Sequence, residues 1–156
     1  MSRTAIFDIE TNGLLPDLDT IWCAVIYDVN TNQYIKFTPD NIKDLPKCLL
    51  QYDTLIGHNI IGFDLFAIKK IYPDFSWENK TIIDTLTLSK LVYYDKDNSF
   101  SHSLKAWGER LGNYKDHHED WSRYSTEMLE YCTQDVSVTR VLYQHLERFT
   151  WITQET

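Results

Sequence analysis

The stretch AIFDIE at residues 5–10 restricts the fold of this chain more than any other feature. Its apolar residues predict a buried strand, and side chains two apart on a strand point to the same face. Asp8 and Glu10 therefore share one face of that strand. Two carboxylates placed side by side repel each other, and both lose hydration when they are buried. The folded chain has to supply something that offsets these costs.

Five apolar segments predict five strands, and turn residues separate the first three of these segments. These strands are residues 4–9, 20–28, 33–38, 54–57 and 81–84. Apolar residues three and four apart predict helices over residues 40–50, 63–72, 86–91, 102–111 and 125–148. Three successive strands followed by alternating helices and strands predict an α/β fold, with a mixed five-stranded sheet flanked by helices.

Several single residues have a predicted structural role. Asp84 is expected to cap the helix that follows it, and Gly112 is expected to end the helix over 102–111. Trp107 is assigned to the core, where the aromatic residue of an amphipathic helix usually packs. The polar residues 113–124 predict a surface loop, and His117 and His118 are assigned to it because adjacent histidines lack metal-ligand spacing.

Length and composition limit the class of protein. The 156 residues are typical of one domain, and no apolar run approaches the roughly 20 residues of a membrane span. Three scattered cysteines argue against a disulfide framework or a zinc site, and favour the reducing cytoplasm. A net charge of −8 argues against non-specific binding to duplex DNA but suits a protein that binds divalent cations.

The last predicted helix contains a buried acid. Asp135 interrupts an apolar stripe in mid-helix, where a carboxylate cannot cap the helix, and Tyr131 lies one turn before it. Buried aspartates require a partner. Asp64 is a fourth acid of interest, since it follows a short predicted strand within GHNIIGFD, residues 57–64.

Each of these residues has an ordinary alternative interpretation. Asp64 is also placed to cap a helix, Asp8 to end a strand and Glu10 to face solvent in a turn. Tyr131 is equally placed to fill the core. Taken together, the four acids have one economical explanation, which is that they surround divalent cations. Oxygen ligands without Cys or His spacing favour Mg²⁺ or Mn²⁺ over zinc.

Three segments of the sequence resemble the motifs of a known nuclease family. FDIET (7–11), HNIIGFD (58–64) and YCTQD (131–135) resemble those of DEDD-type 3′–5′ exonucleases, and a tyrosine four residues before the last Asp is typical of the tyrosine subgroup. IDTLTLSKL (83–91) and SHSLKAWGERLG (101–112) extend the resemblance to the proofreading domains of phage family A DNA polymerases. The ordered set covers roughly residues 4–147.

The resemblance implies an RNase H-like fold and phosphodiester hydrolysis with two Mg²⁺ or Mn²⁺ ions. It assigns Asp8, Glu10 and Asp135 to one metal, with Asp8 bridging to the second, and Asp64 to the second. It further implies that Tyr131 orients the attacking water. The resemblance also implies contacts with the terminal nucleotide from Thr11, Leu14, Asn59 and Phe63.

The function predicted from these residues is 3′–5′ exonuclease action on single-stranded DNA 3′ ends, in proofreading or DNA degradation. A 3′–5′ exoribonuclease and a catalytically silent interaction module remain open alternatives. Residues 1–156 are predicted to form one exonuclease domain, without the polymerase domain that follows in the phage enzymes. The chain is then expected to be free-standing, a subunit that works beside a DNA polymerase or other replication protein, or an excised domain. We expect it in the cytoplasm, of the host if a phage encodes it.

Overall fold

Five strands form one mixed sheet in the order β3-β2-β1-β4-β5 in the computed structural model, which describes residues 2–94, 99–113 and 117–149. The strands are β1 (Thr4–Thr11), β2 (Ile21–Asp28), β3 (Gln33–Phe37), β4 (Thr54–Gly57) and β5 (Thr81–Asp84). The three leading strands are antiparallel neighbours, and β4 and β5 add in parallel on the other side of β1. The predicted mixed five-stranded sheet is confirmed.

The central strand β1 has neighbours on both sides and is covered on both faces. Phe7 and Ile9 pack into one apolar cluster, with residues such as Leu49 and Leu65. Ile6 points the other way, into a second cluster with residues of the last helix. By the alternation of a strand, Asp8 and Glu10 lie on the same face as Ile6, which is the face that this helix covers.

Five α-helices accompany the sheet within the described ranges. They are α1 (Leu45–Leu49), α2 (Leu65–Ile71), α3 (Thr85–Val92), α4 (Leu104–Arg110) and α5 (Thr126–Glu147). Asp84 caps α3 by accepting a hydrogen bond from the Leu86 N–H, as predicted. Gly112, with φ at +73°, lies just beyond α4, a backbone conformation that glycine adopts without strain.

Two predicted helices begin with an irregular turn, so that their regular part starts later than expected. The segment predicted as a helix over 40–50 is a 3-10 turn at Ile42–Asp44 followed by α1, and Pro46 occupies the first turn of that helix, where its missing N–H costs nothing. The segment predicted over 63–72 begins as a π-helical turn at Ile60–Asp64, and regular α-helix starts only at Leu65.

A third apolar cluster joins the two short helices α3 and α4 to the end of α5. Trp107 is 3% exposed in this cluster, which confirms its assignment to the core. Its indole N–H donates to the Ser89 hydroxyl at 2.8 Å. Within the described ranges, no helix is long and apolar enough to cross a membrane.

Candidate active site

The carboxylates of Asp8 and Glu10 lie together at the carboxyl end of β1. Glu10 is 8% exposed and Asp8 is partly buried. The pairing of β1 with β2 is regular up to Glu10 and shifts between Glu10 and Thr11. The strand therefore carries both acids in register and then leaves the regular ladder, which opens a turn beside them.

Helix α5 adds a thiol and a third carboxylate to the same place. The Cys132 thiol lies 3.4 Å from the backbone oxygen of Asp8 and 3.5 Å from its Oδ2 atom. Burial raises the pKa of Cys132 well above its ordinary value, so the thiol keeps its proton and donates it towards Asp8. Asp135, three residues further along the helix, is 5% exposed. The sequence pattern placed Cys132 only in the core stripe of α5.

Asp64 joins the cluster from the other side of β1. Its Oδ2 atom accepts a hydrogen bond from the backbone N–H of Ile9 at 3.3 Å. The alternative that Asp64 caps a helix is wrong, because its side chain makes no capping hydrogen bond to α2. The π-helical turn places the residue before the first regular turn of that helix, with its carboxylate directed at β1 instead.

The electrostatics of the four acids are strongly coupled. Burial raises the pKa of Asp8 well above its ordinary value, and three neighbouring carboxylates raise it further: Glu10, Asp135 and Asp64. Burial and the charge of Glu10 also raise the pKa of Asp64, against the hydrogen bond from Ile9. Each carboxylate thus makes ionisation of the others harder. The sequence-predicted acids are brought together as expected, and their individual roles stay a prediction.

Asp84 holds the turn that delivers Asp64, a role that the sequence did not reveal. Besides capping α3, its carboxylate accepts hydrogen bonds from the backbone N–H groups of Asn59 at 2.8 Å and Ile61 at 2.9 Å. Asn59 adopts the left-handed conformation, with φ at 64°. A Cβ atom at Gly62 would lie 2.4 Å from the Oδ1 atom of Asn59, so any larger residue there would force the Asn59 side chain to move.

The donor set fits a divalent cation. Ligand atoms of Asp8, Glu10 and Cys132 lie within 4.8 Å of one another. The two carboxylates are the oxygen donors that Mg²⁺ and Mn²⁺ prefer, and a cation would relieve the repulsion between them. The protonated thiol is better suited to hydrogen bonding than to binding a hard cation. The cluster is therefore a possible metal site built from acidic side chains.

The loop predicted over 113–124 is exposed at most of its described positions, as expected, with 114–116 outside the described residues, but it also reaches the site. Trp121 is partly buried, and its indole N–H donates to Oε2 of Glu10 at 3.0 Å. Its ring lies edge-on to Tyr131, with centroids 6.1 Å apart. His118 is partly buried beside both rings, whereas His117 is exposed and pairs with Glu119. A lone tryptophan within a charged stretch was the available signal.

A cavity of about 700 Å³ opens beside Glu10 and Trp121. It collects all four residues for which nucleotide contacts are predicted, namely Thr11, Leu14, Asn59 and Phe63. Leu14 is 73% exposed at the mouth of this cavity, and its contact with a nucleotide stays a prediction. The Thr11 hydroxyl donates to the backbone oxygen of Gly13 at 2.7 Å, so it currently closes its own turn.

The family model of the RNase_H superfamily matches residues 5–118. The chain belongs to this superfamily. The matched segment contains the sheet, the acids Asp8, Glu10 and Asp64, and the turn that Asp84 holds. Tyr131, Asp135 and Trp121 lie beyond it. Their inclusion in the site of this RNase_H-superfamily chain rests on the contacts described above and on the resemblance of YCTQD to the third exonuclease motif.

Known proteins similar to this RNase_H-superfamily chain include a phage polymerase and two bacterial proteins of known structure. The DNA-directed DNA polymerase of Escherichia phage T7 is 28% identical over 183 residues, which cover 90% of this chain and 26% of the polymerase. The chain thus spans about a quarter of that relative. Brucella melitensis NrnC with bound Mg²⁺ has a TM-score of 0.70 at 24% identity, covering all of this chain and 77% of NrnC.

Exonuclease I of E. coli, in complex with a dT13 oligonucleotide, has a TM-score of 0.66 at 15% identity. The match covers 98% of this chain and 43% of the enzyme. At these identities, the two structural matches establish the RNase H-like fold.

Proposed function

We propose that this chain is a metal-dependent 3′–5′ exonuclease that hydrolyses phosphodiester bonds at single-stranded DNA 3′ ends. One observation carries the proposal. Carboxylates from β1, the turn before α2 and the middle of α5 converge beside Tyr131, at the edge of a cavity large enough for a nucleotide. The raised pKa values of Asp8 and Asp64 show that this cluster is costly for the fold, and a catalytic metal site would explain why it is there.

The acids would hold two Mg²⁺ or Mn²⁺ ions. Asp8, Glu10 and Asp135 are the proposed ligands of one ion, and Asp8 and Asp64 those of the other. When bound, such a pair of cations stabilises the charge that develops on the attacking and leaving oxygens of an in-line displacement. Hydrogen bonds from Trp121, Cys132 and Ile9 would keep the carboxylates of Glu10, Asp8 and Asp64, respectively, aimed at the shared centre.

Tyr131 would orient the attacking water. It lies one turn before Asp135 on α5, and the edge-on contact with Trp121 restricts its ring. A fixed phenol next to the carboxylate cluster can hold a water molecule in line with the scissile phosphate, and such positioning contributes strongly to rate.

The cavity would hold the last nucleotide of the strand. Leu14 would wedge against the terminal base and Phe63 would offer an aromatic face to it, a contact that tolerates any base. Thr11 and Asn59 would contact the sugar and phosphate. A net charge of −8 allows few phosphate contacts, so we expect weak binding and distributive digestion.

The known relatives support this proposal but leave the sugar open. Exonuclease I carries a dT13 oligonucleotide and NrnC is known both with Mg²⁺ and with pGG. The pGG complex favours a second candidate, a 3′–5′ exoribonuclease that uses the same site. Similarity to a phage DNA polymerase favours DNA, and action in the cytoplasm beside a polymerase or another replication protein in trans.

The test is digestion of matched DNA and RNA oligonucleotides labelled at the 5′ end, with Mg²⁺ or Mn²⁺ and with EDTA. Asp8→Ala removes a proposed ligand. Asp53→Asn is the control, because Asp53 is exposed and lies beside Arg3, near the opposite end of β1. We expect a ladder that shortens from the 3′ end with the wild type and with Asp53→Asn only. A faster ladder on RNA would favour the second candidate.

The remaining possibility is that the chain digests neither DNA nor RNA. The effect of Mn²⁺ on the melting temperature then distinguishes a nuclease from an interaction module. A ligand that binds only the native state must raise its melting temperature. No digestion together with no shift in Mn²⁺ would refute the nuclease proposal and favour an interaction module.

A further inference from the structure

Trp121 makes a contact that the proposed chemistry does not by itself require. Its indole N–H donates to Glu10 across 111 positions of sequence, from a loop that lies outside every recognised motif. An indole is a donor only, so it can pair with Glu10 only while the carboxylate accepts. A glutamate beside Asp8 is otherwise driven by like-charge repulsion to turn its flexible side chain away.

The loop that carries Trp121 is fixed independently of any cation. The backbone oxygen of Trp121 accepts a hydrogen bond from the indole N–H of Trp22 on β2, at 2.9 Å. A few residues further along, Ser125 caps α5 through the Met128 N–H. The indole is therefore attached both to the strand next to β1 and to the helix that carries Tyr131.

The same ring also touches the proposed water-orienting residue. The ring of Trp121 meets that of Tyr131 at 87° and 6.1 Å, a favourable edge-to-face arrangement. One side chain thus contacts a proposed metal ligand with its N–H and Tyr131 with its ring.

We propose that Trp121 is a positioning residue that aligns Glu10 for metal binding and Tyr131 for water orientation. The inference rests on the proposed function, since it concerns the same site. Partners that orient metal ligands typically change metal affinity or activity by 10- to 100-fold when they are removed. Replacing the indole with a ring that lacks the N–H should therefore weaken cation binding while the fold persists.

The first experiment compares Trp121→Phe with Trp77→Phe. Trp77 is a matched control because it packs against Phe66 and Phe75, away from the acids. Calorimetric titration with Mn²⁺ should show affinity lowered about 10-fold or more in Trp121→Phe only. Tryptophan emission should change with Mn²⁺ in the wild type and in Trp77→Phe, and much less in Trp121→Phe.

Kinetics separate alignment from direct contact with DNA. At low Mn²⁺, kcat of Trp121→Phe should fall about 10- to 100-fold, and excess Mn²⁺ should recover part of that loss. A raised KM for the oligonucleotide with unchanged Mn²⁺ affinity would overturn the inference and make Trp121 a nucleotide contact. Unchanged Mn²⁺ affinity and unchanged kcat would also overturn it.

A second variant covers failure of Trp121→Phe to fold. Trp22→Phe keeps the indole of Trp121 and removes the hydrogen bond to its backbone oxygen, together with part of the ring that Trp22 packs against the second apolar cluster. It should lower Mn²⁺ affinity in the same direction but less, and an unchanged affinity would count against the inference. A wild type that binds no Mn²⁺ would refute the proposed function as well, whereas normal binding with unaffected variants refutes the inference alone.

Discussion

Replacing Asp8 with asparagine should stabilise the metal-free protein. Asp8 and Glu10 have ligand atoms within 4.8 Å. Two unit charges at 4.8 Å, the upper limit of that distance, repel by about 3.5 kcal/mol at an effective dielectric constant near 20, and the repulsion grows at shorter range. Asp8 can avoid this repulsion by taking up a proton. Because its ordinary pKa is 3.8, protonation at pH 7 costs about 4 kcal/mol. Asparagine avoids both costs and keeps an oxygen that can accept from the Cys132 thiol.

We expect Asp8→Asn to be more stable than the wild type by about 1–3 kcal/mol in EDTA at pH 7, because relaxation offsets part of the repulsion. For a chain of this size, that corresponds to a rise in melting temperature of about 2–12 °C. Calorimetry or circular dichroism measures it. Asp53→Asn, an exposed control, should change the melting temperature little.

The raised pKa of Asp8 also determines how the stability of the wild type should change with pH. Burial and the neighbouring carboxylates raise the pKa of Asp8 in the native state above its value in the unfolded chain. The native state therefore holds the proton more tightly, and the wild type loses stability as pH rises through the native pKa. The advantage of Asp8→Asn should shrink towards zero near pH 4 and grow towards pH 7.

Saturating Mn²⁺ should reverse the order of the two proteins. The wild type should gain about 2.7 kcal/mol at a concentration 100 times its dissociation constant, and Asp8→Asn should gain much less. A variant that is less stable than the wild type in EDTA at pH 7 would refute the reasoning, because it would show that the acids do not strain the fold.

Four further substitutions probe separate parts of the molecule. Ser89→Ala leaves the buried indole N–H of Trp107 without its acceptor and should lower the free energy of unfolding by about 1–3 kcal/mol, measured by urea unfolding. Ser125→Ala removes the N-cap of α5 and should lower it by about 1 kcal/mol in the same assay. Burial raises the pKa of Asp28, but its hydrogen bonds outweigh burial and hold that pKa below the ordinary value. Asp28→Asn should therefore lose about 1 kcal/mol at neutral pH, and the loss should fade as pH drops below about 4 in a pH series of melting curves. Tyr131→Phe should lower kcat by roughly 100-fold while the Mn²⁺-induced rise in melting temperature persists, and an equal loss of both would contradict an orienting role.

Local pattern was enough to predict the sheet, because strand alternation and turn residues are properties of short segments. The predicted helix bounds are wrong where the backbone conformation of one residue outweighs the helical preference of the residues around it. Pro46 sets where α1 can begin, and Asn59 in the left-handed conformation starts a π-helical turn that apolar spacing does not reveal. That turn decides the direction of Asp64, so the error bears on the site as well as on helix bounds.

The sequence was enough to predict the acids of the site, but not the side chains that donate hydrogen bonds to them. Asp135 could be singled out because a carboxylate interrupts an apolar stripe, and the spacing of Asp8 and Glu10 places both on one face. Trp121 and Cys132 act on these acids across more than a hundred residues, and no local pattern contains such a contact. Only the fold brings these donors to the strand.

Hydrogen bonds from neighbouring segments explain how a cluster of like charges can be kept in one arrangement. The carboxylates of Glu10, Asp8 and Asp64 each accept a hydrogen bond from a donor on a different segment: the loop before α5, α5 itself and β1. These bonds fix direction but leave the negative charge uncompensated, because none of the three donors is a cation. Removing one donor should therefore disturb the alignment of one carboxylate more than the fold as a whole. Metal affinity should fall while the melting temperature in EDTA stays nearly the same, whereas removing Asp8 should raise that temperature and weaken metal binding far more.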